Sequence, residues 1–449
     1  MNSTKRIAVA GAGPAGLTTA YCLAKLGCPV AVYEASSVVG GLSRSIDLWG
    51  RSVDLGSHIF HQGIFETDRI WNDVLKEKQY QLTLKRGLLD CGTVHEYPFN
   101  PLSLLSSLGI LEVLRCAASW AMRDRAAQDE RSTESVIVDH YGRRVYDRLL
   151  RSYVEKLWGC PGSNVDPTFA DLLIDTVPKS PFKALAHSLG HFLASGTMRR
   201  RAATFMYPVG GTGALWTGLS SEIERLGGQI HLGAKIDRVI IKDMNITGID
   251  VGGERVDLDF LISSLPIPVL HRAVFAKKAP IHAPRSTILV YLKLDGLEEF
   301  EGLWLYLIDP GIRCGRVTNV LAWQPERSNE GKTDMLCLEY WCFSNEEIWM
   351  RADDEIAELA ESEMRAVGLL KWTSIVNYHI ERLHGTHPSY RKGDPKLASD
   401  LTQDLKGISG LEMIGRHGSS SLGAMSDAML DGIRVASKLY EMNDGCPGQ

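Results

Sequence analysis

Between residues 5 and 34 the apolar positions change period twice, and each change predicts an element. Ile7, Val9 and Ala10 form a short continuous apolar run, the pattern of a strand covered on both faces. Leu17, Ala20, Leu23 and Ala24 then recur at helical spacing until Gly27, and Val30 to Tyr33 reads as a second buried strand. Between first strand and helix lie Gly11, Gly13 and Gly16, spaced G-x-G-x-x-G with Pro14 and Ala15 inside the motif. The first glycine permits the tight turn, the second lets a pyrophosphate approach the backbone, and the third lets helix pack on strand. The phosphate then sits over a helix N-terminus. Glu34, followed by Ala35, ends the second strand, where a carboxylate accepts the ribose hydroxyls. Strand, glycine turn, helix, strand and acid in this order predict an adenine-dinucleotide site.

Further along, helical periodicity appears at Val145, Leu149, Tyr153 and Leu157, ended by Gly159 and Pro161. A second glycine turn, Val209 to Gly213, opens a helix through Leu215, Leu219 and Ile223 to Gly227. Short strands follow at 230–232, 239–241 and 246–251, and residues 257–265 return the chain to the parallel sheet. Apolar runs at 288–292, 304–308 and 335–340 predict a mixed sheet, and helical spacing resumes over 356–370. His384, His387, Tyr390 and Arg391 are read as a loop without metal-ligand spacing. The closing pattern is a strand at 411–414, a glycine turn, and a helix with Met429, Ile433 and Ala436 on one face.

These elements give an α/β fold: a Rossmann-like dinucleotide-binding domain, an inserted helical region and a mixed β-sheet substrate domain. The expected division is 1–75, 205–270 and 406–449 for the discontinuous cofactor domain, 76–204 for the mainly helical substrate region, and 271–405 for the mixed-sheet region. A chain of 449 residues has room for two or three such cores. Its net charge of −5 makes no case for nucleic acid as a partner. The apolar stretch 102–122 carries Glu112 and Arg115 mid-span, which argues against membrane insertion. Nine cysteines without a C-x-x-C pair, and a polar start running into the first strand, predict reduced thiols in a cytoplasmic protein. A homodimer is left open.

The chemistry-bearing segments narrow the class. Gly40-Gly41-Leu42-Ser43-Arg44 follows the ribose acid, and such a glycine pair with a basic residue turns backbone amides and a guanidinium toward a diphosphate. Next come Gly56-Ser57-His58-Ile59-Phe60-His61, Tyr97-Pro98-Phe99-Asn100-Pro101, Ser152-Tyr153-Val154-Glu155-Lys156-Leu157-Trp158-Gly159, Tyr207-Pro208-Val209-Gly210-Gly211 and Gly415-Arg416-His417-Gly418. In that order they resemble the protoporphyrinogen-oxidase-like and UDP-galactopyranose-mutase-like flavoproteins of the amine oxidase superfamily. The resemblance implies FAD as cofactor, with His58 near the isoalloxazine, His61 close behind, and the backbone near Val239 meeting adenine. It implies that Gly415, Arg416 and the helix start near Ser426 close the flavin site.

The same resemblance implies a small-molecule substrate, in the mutases a nucleotide sugar. Tyr153, Trp158 and Asn100 would line its pocket, and Arg201, Arg285 and Arg316 are candidates to clamp its diphosphate, Arg285 next to the chemistry. Two positions depart from the mutase tail: Leu422 stands for its tyrosine and Ser426 for its aspartate. Three readings stay open. The first is a pyranose–furanose mutase in which reduced flavin N5 attacks the anomeric carbon. The second is an oxidase or dehydrogenase of a sugar or small cyclic substrate. The third is a binding protein like the Rab GDP-dissociation inhibitors, which share the fold without flavin chemistry.

Overall fold

The computed structural model describes residues 5–97, 108–123, 131–170, 203–296, 300, 302–324, 333–418 and 423–442. The chain divides into two compact units: 1–82 with 205–281 and 396–449, and 83–204 with 282–395.

The first unit is built on a five-stranded parallel sheet. Its spatial order is Leu411–Met413, Phe260–Ser263, Ile7–Ala10, Val30–Tyr33 and Gln229–His231. The alternation inside Ile7–Ala10 decides which face each side chain covers. Ile7 and Val9 join a core under the helices Pro14–Lys25, Phe65–Leu75, Gly213–Arg225 and Met425–Met442. Ala8 and Ala10 join a second core with Val239, Ile249, Leu270 and Leu405. That side carries a three-stranded antiparallel meander, Ile236–Lys242, Asn245–Val251 and Glu254–Asp257, and the helix Ile267–Phe275. Trp71 and Trp216 are fully buried in the first core. Truncating either to alanine costs about 3–5 kcal/mol. Helices Pro14–Lys25 and Met425–Met442 pack closely because a Cβ at Gly432 would lie 2.7 Å from the Ala15 carbonyl oxygen.

The second unit carries a seven-stranded mixed sheet, ordered Ile375–His387, Arg285–Asp295, Thr333–Cys342, Arg316–Asn319, Trp304–Leu307, Arg86–Asp90 and Thr93–Glu96. One face is continuous and apolar. Ile288, Val290, Leu292, Leu336, Leu338, Val317 and Leu305 cover Ile356, Ala360 and Met364 of the helix Asp353–Ala366. The alternate positions point the other way and include a run of aromatic and polar residues: Arg86, Trp304, Tyr306, Arg316, Glu339 and Trp341.

Three expectations change. Residues after 76 do not start helical; strands Gln79–Thr83, Arg86–Asp90 and Thr93–Glu96 come first, and the last two extend the mixed sheet. These strands are short and mix charges with few apolar residues, so neither period rises above its background. His384 and His387 belong to the strand Ile375–His387, not to a loop, because register with Arg285–Asp295 fixes a largely polar sequence. Among the described cysteines seven are free, whereas Cys28 is disulfide-bonded.

Candidate active site

In the first unit, glycines of three separate segments converge on the start of the helix Pro14–Lys25. Gly11 has φ +99°, and Gly16 lies so near it that a Cβ there would meet the Gly11 carbonyl oxygen at 1.9 Å. Gly41 has φ +56°, and its Cβ would stand 3.2 Å from the Gly13 Cα. Gly415 has φ +75°, and its Cβ would stand 3.0 Å from that of Ala15. The amide of Gly40 donates to the Ala12 carbonyl at 2.8 Å, which docks the second glycine loop on the first. No side chain caps the helix, so its first-turn amides face this glycine floor. A floor without Cβ atoms at a helix N-terminus is the shape and polarity that a dinucleotide pyrophosphate needs.

Glu34 braces the same turn. One of its carboxylate oxygens accepts the Ala12 amide and the other the Ser36 amide, both at 2.8 Å. Each oxygen keeps a second acceptor position for a hydroxyl donor. Arg44 donates from Nη1 to the Gly41 carbonyl at 3.1 Å, within its own loop. Leu42 is half-buried in that loop and Ala35 is exposed. Val239 is buried on Ile236–Lys242, the edge strand of its sheet, so its outer backbone edge has no strand partner among the described residues.

A carboxylate that sequence reasoning passed over holds the loops together. Asp54 accepts from the Ser45 hydroxyl at 2.6 Å, the Thr212 amide at 2.9 Å and the Tyr207 hydroxyl at 2.8 Å. Burial pushes its carboxyl pKa up, against these three donors. Thr212 and Trp216 both donate to the Ser43 carbonyl, at 2.7 and 3.0 Å. The Pro208–Gly213 turn is thereby tied to the Gly40–Ser45 loop. Its sequence signal was present: Asp54 immediately precedes Leu55-Gly56-Ser57.

His58 is half-buried with Nε2 3.2 Å from the Leu55 carbonyl, and Gly56 bends the chain with φ +90°. His61 is exposed. Phe60 anchors the segment by stacking on Trp71, centroids 4.1 Å apart, and by bridging Met206. Arg416 donates to the Gly423 carbonyl at 3.3 Å, and Ser426 is buried at the start of Met425–Met442.

In the second unit the polar sheet face carries a built cluster. Tyr306, Arg316 and Glu339 lie directly opposite one another on three neighbouring strands. Arg316 forks onto Glu339, Nε at 2.6 Å and Nη2 at 2.7 Å. Burial alone would lower the Arg316 pKa; the Glu339 carboxylate outweighs it and the net shift is upward. Tyr153, from the helix Arg151–Trp158, meets the Tyr306 ring edge-on at 5.0 Å and the Trp341 ring at 5.8 Å. Burial and then Tyr306 push its phenol well above the usual range, so it is a neutral hydroxyl donor. The indole of Trp341 lies across Gly315, where a Cβ would be 2.1 Å from the ring. Glu339, Tyr306 and Trp341 were missed because each looks like an ordinary strand residue until register aligns them.

Two expected substrate residues are enclosed by contacts within the protein. Arg285 is 2% exposed and makes four hydrogen bonds: Nε to the Leu157 carbonyl at 2.9 Å, Nη2 to the Lys156 and Trp341 carbonyls at 3.0 and 2.8 Å, and Nη1 to Glu346 at 2.9 Å. Its guanidinium sits on the last carbonyls of Arg151–Trp158, where a cation is favoured, and has no fork left for a diphosphate. Trp158 is 3% exposed, packed edge-on against Phe169 at 4.8 Å and near Tyr390 at 5.0 Å, so it offers no open stacking face. Lys156 of the same helix donates to the carbonyls of Leu307, Asp309 and Cys314 at 2.7, 2.9 and 3.3 Å. Burial pulls its ammonium down to about 8. Asn100, Arg201 and Leu422 lie outside the described residues.

A 164-residue stretch is 33% identical to protoporphyrinogen oxidase 2 of Arabidopsis thaliana, spanning 34% of this chain and 32% of that protein. The chain thus matches only about a third of the length of that relative. The crystal structure of reduced UDP-galactopyranose mutase superposes with a TM-score of 0.82 at 19% identity, covering 98% of this chain and 96% of the other. Putrescine oxidase bound to putrescine superposes with a TM-score of 0.63 at 16% identity, covering 97% and 99%. The model of the flavin containing amine oxidoreductases matches residues 14–439. The chain is therefore a member of the flavin containing amine oxidoreductase family, an FAD-dependent enzyme with the fold of those flavoproteins.

Proposed function

We propose that this flavoenzyme acts on a nucleotide-activated sugar, with a redox-neutral pyranose–furanose rearrangement as the first reading. The observation that carries it is the cluster of Tyr153, Tyr306 and Trp341 beside the Arg316–Glu339 pair, on the polar face of the mixed sheet. Aromatic faces stack sugars and bases, neutral phenols donate to phosphate oxygens, and Arg316 keeps Nη1 for an anion. Glu339 fixes the guanidinium plane, so that donor is oriented before substrate arrives.

FAD is assigned to the glycine floor of the first unit. Gly11, Gly13, Pro14, Ala15, Gly16, Gly41, Leu42 and Arg44 would hold the diphosphate, Glu34 and Ala35 the ribose, and the backbone at Val239 the adenine. Gly56, Ser57 and His58 are assigned to the flavin ring, and Gly415, Arg416 and Ser426 to the closing turn. When bound, FAD supplies a nucleophilic N5 in its reduced form or a hydride acceptor in its oxidised form. This chain's own groups bind and orient: Tyr153 and Tyr306 hold the substrate by hydroxyl donation and ring contact, and His58 lies on the ring-side segment.

Net oxidation of a sugar or small cyclic substrate is the second reading. It is favoured by Arg285, whose guanidinium is committed to three backbone carbonyls and Glu346 and so is withdrawn from a diphosphate. Anaerobic incubation with a panel of nucleotide sugars, with oxidised and with dithionite-reduced enzyme, separates the two. An isomer of unchanged mass formed only by reduced enzyme supports the first reading. Bleaching of oxidised flavin with a product two mass units lighter replaces it with the second.

A further inference from the structure

A cavity of about 500 Å³ opens in the second unit beside the hairpin of Arg86–Asp90 and Thr93–Glu96. His95 lines it, with a side chain only 2% exposed and both ring nitrogens without a hydrogen-bond partner. An imidazole so placed lacks one donor and one acceptor partner, and burial keeps water from supplying either. The nearest charge is Asp90, 3.8 Å from Nε2 and itself bound to Arg148 at 2.7 Å. Burial lowers the His95 pKa, Asp90 opposes this and Arg148 reinforces it.

The other walls supply charge. Arg144 spends Nε and Nη2 on Glu112, Arg115 spends Nη1 on Glu112, and Arg148 spends Nη2 on Asp90. Nη1 of Arg144, Nε and Nη2 of Arg115, and Nε and Nη1 of Arg148 remain as donors. Three guanidiniums against two carboxylates leave the lining cationic, in a chain whose net charge is −5.

We propose that this cavity is a binding site for a phosphate-type oxyanion, inorganic phosphate or a phosphomonoester, with His95 as its buried partner and Arg115, Arg144 and Arg148 as its charge-assisted donors. A protonated phosphate can donate a hydroxyl to an unprotonated imidazole nitrogen or accept from a protonated one, and its remaining oxygens match guanidinium geometry. A monocarboxylate meets the arginines but has no proton for the imidazole. The site is independent of the nucleotide-sugar reading, since it shares no residue with the cluster around Arg316.

The test uses the FAD-loaded full chain at fixed ionic strength, titrated with sodium phosphate, glycerol 3-phosphate and sodium acetate. Calorimetry reports binding and long-range proton–nitrogen spectra report the His95 ring. The expected result is saturable binding of a phosphate species, displacement of the His95 nitrogen resonances, and a higher His95 pKa in the saturated protein. Arg115→Ala touches only the Glu112 pair and should weaken binding about five- to tenfold, one charge-assisted hydrogen bond at a partly exposed site. Tighter binding of the inorganic ion than of the ester names free phosphate as ligand, and the reverse names a monoester. Absence of binding overturns the proposal. So does acetate binding of equal strength, or phosphate binding that neither moves His95 nor responds to Arg115→Ala.

Discussion

Replacing Arg285 by methionine separates a structural clamp from a catalytic group. The guanidinium makes four hydrogen bonds in a site 2% exposed: three to the carbonyls of Lys156, Leu157 and Trp341, and one to Glu346. Methionine fills much of the volume but strands the carbonyls, while Glu346 keeps Arg313 at 2.5 Å. One-sided loss of a buried, hydrogen-bonded charge costs about 3–5 kcal/mol. For a unit of this size each kcal/mol lowers the melting temperature by about 2–4 °C, so the drop is on the order of 10 °C. Arg285→Lys should fall in between, since an ammonium cannot reproduce the fork. Melting is followed by circular dichroism, and turnover is measured at 15 °C, where the variant remains folded. The expected outcome is a large fall in melting temperature with the flavin spectrum retained and turnover per folded molecule within a few-fold of wild type. A variant that melts like wild type yet loses turnover about a hundredfold or more would refute the clamp and return Arg285 to the chemistry.

Other substitutions probe other joints. Glu34→Gln keeps one acceptor but turns an amide toward a backbone donor, so reconstitution of stripped protein should show FAD affinity lowered about tenfold to a hundredfold. Gly16→Ala drives a Cβ to 1.9 Å from the Gly11 carbonyl oxygen and should abolish FAD retention. Gly27→Ala meets no atom within 4 Å and should cost only about 1 kcal/mol through its φ of +76°. Lys156 releases its proton at about 8 when folded against 10.5 ordinarily, so between those values the unfolded chain binds more protons and stability rises with pH. That rise should be missing from urea titrations of Lys156→Met; its persistence would show that another group titrates there. Tyr306→Leu should raise KM for the true substrate about fivefold to a hundredfold by loss of ring contact, with FAD binding unchanged.

The first unit was largely legible because its glycine floor is a property of the backbone. A pyrophosphate floor demands glycine where a Cβ cannot stand, and that demand is written into Gly11, Gly13, Gly16, Gly41 and Gly415 whatever their surroundings. The bracing carboxylate Asp54 was not legible, since a buried acid is identified by its donors. Those donors come from Ser45, Tyr207 and Thr212, two of them more than 150 positions away in the chain.

The substrate unit was harder to read because an arginine's role depends on what already occupies its donors. Arg285 and Arg316 both open strands of one sheet and look equivalent as sequence. Register separates them. Arg316 lies opposite Glu339 and Tyr306 on the polar face and forks onto one carboxylate with Nε and Nη2. Arg285 lies at the end of its strand, under the last turn of Arg151–Trp158, where three carbonyls and Glu346 take the fork. Trp158 follows the same logic: the helix that presents Tyr153 to the polar face turns Trp158, five residues later, onto Phe169 and Tyr390 in the core. A recognition motif read as a line thus divides into one residue that can meet a ligand and one that holds the helix in place.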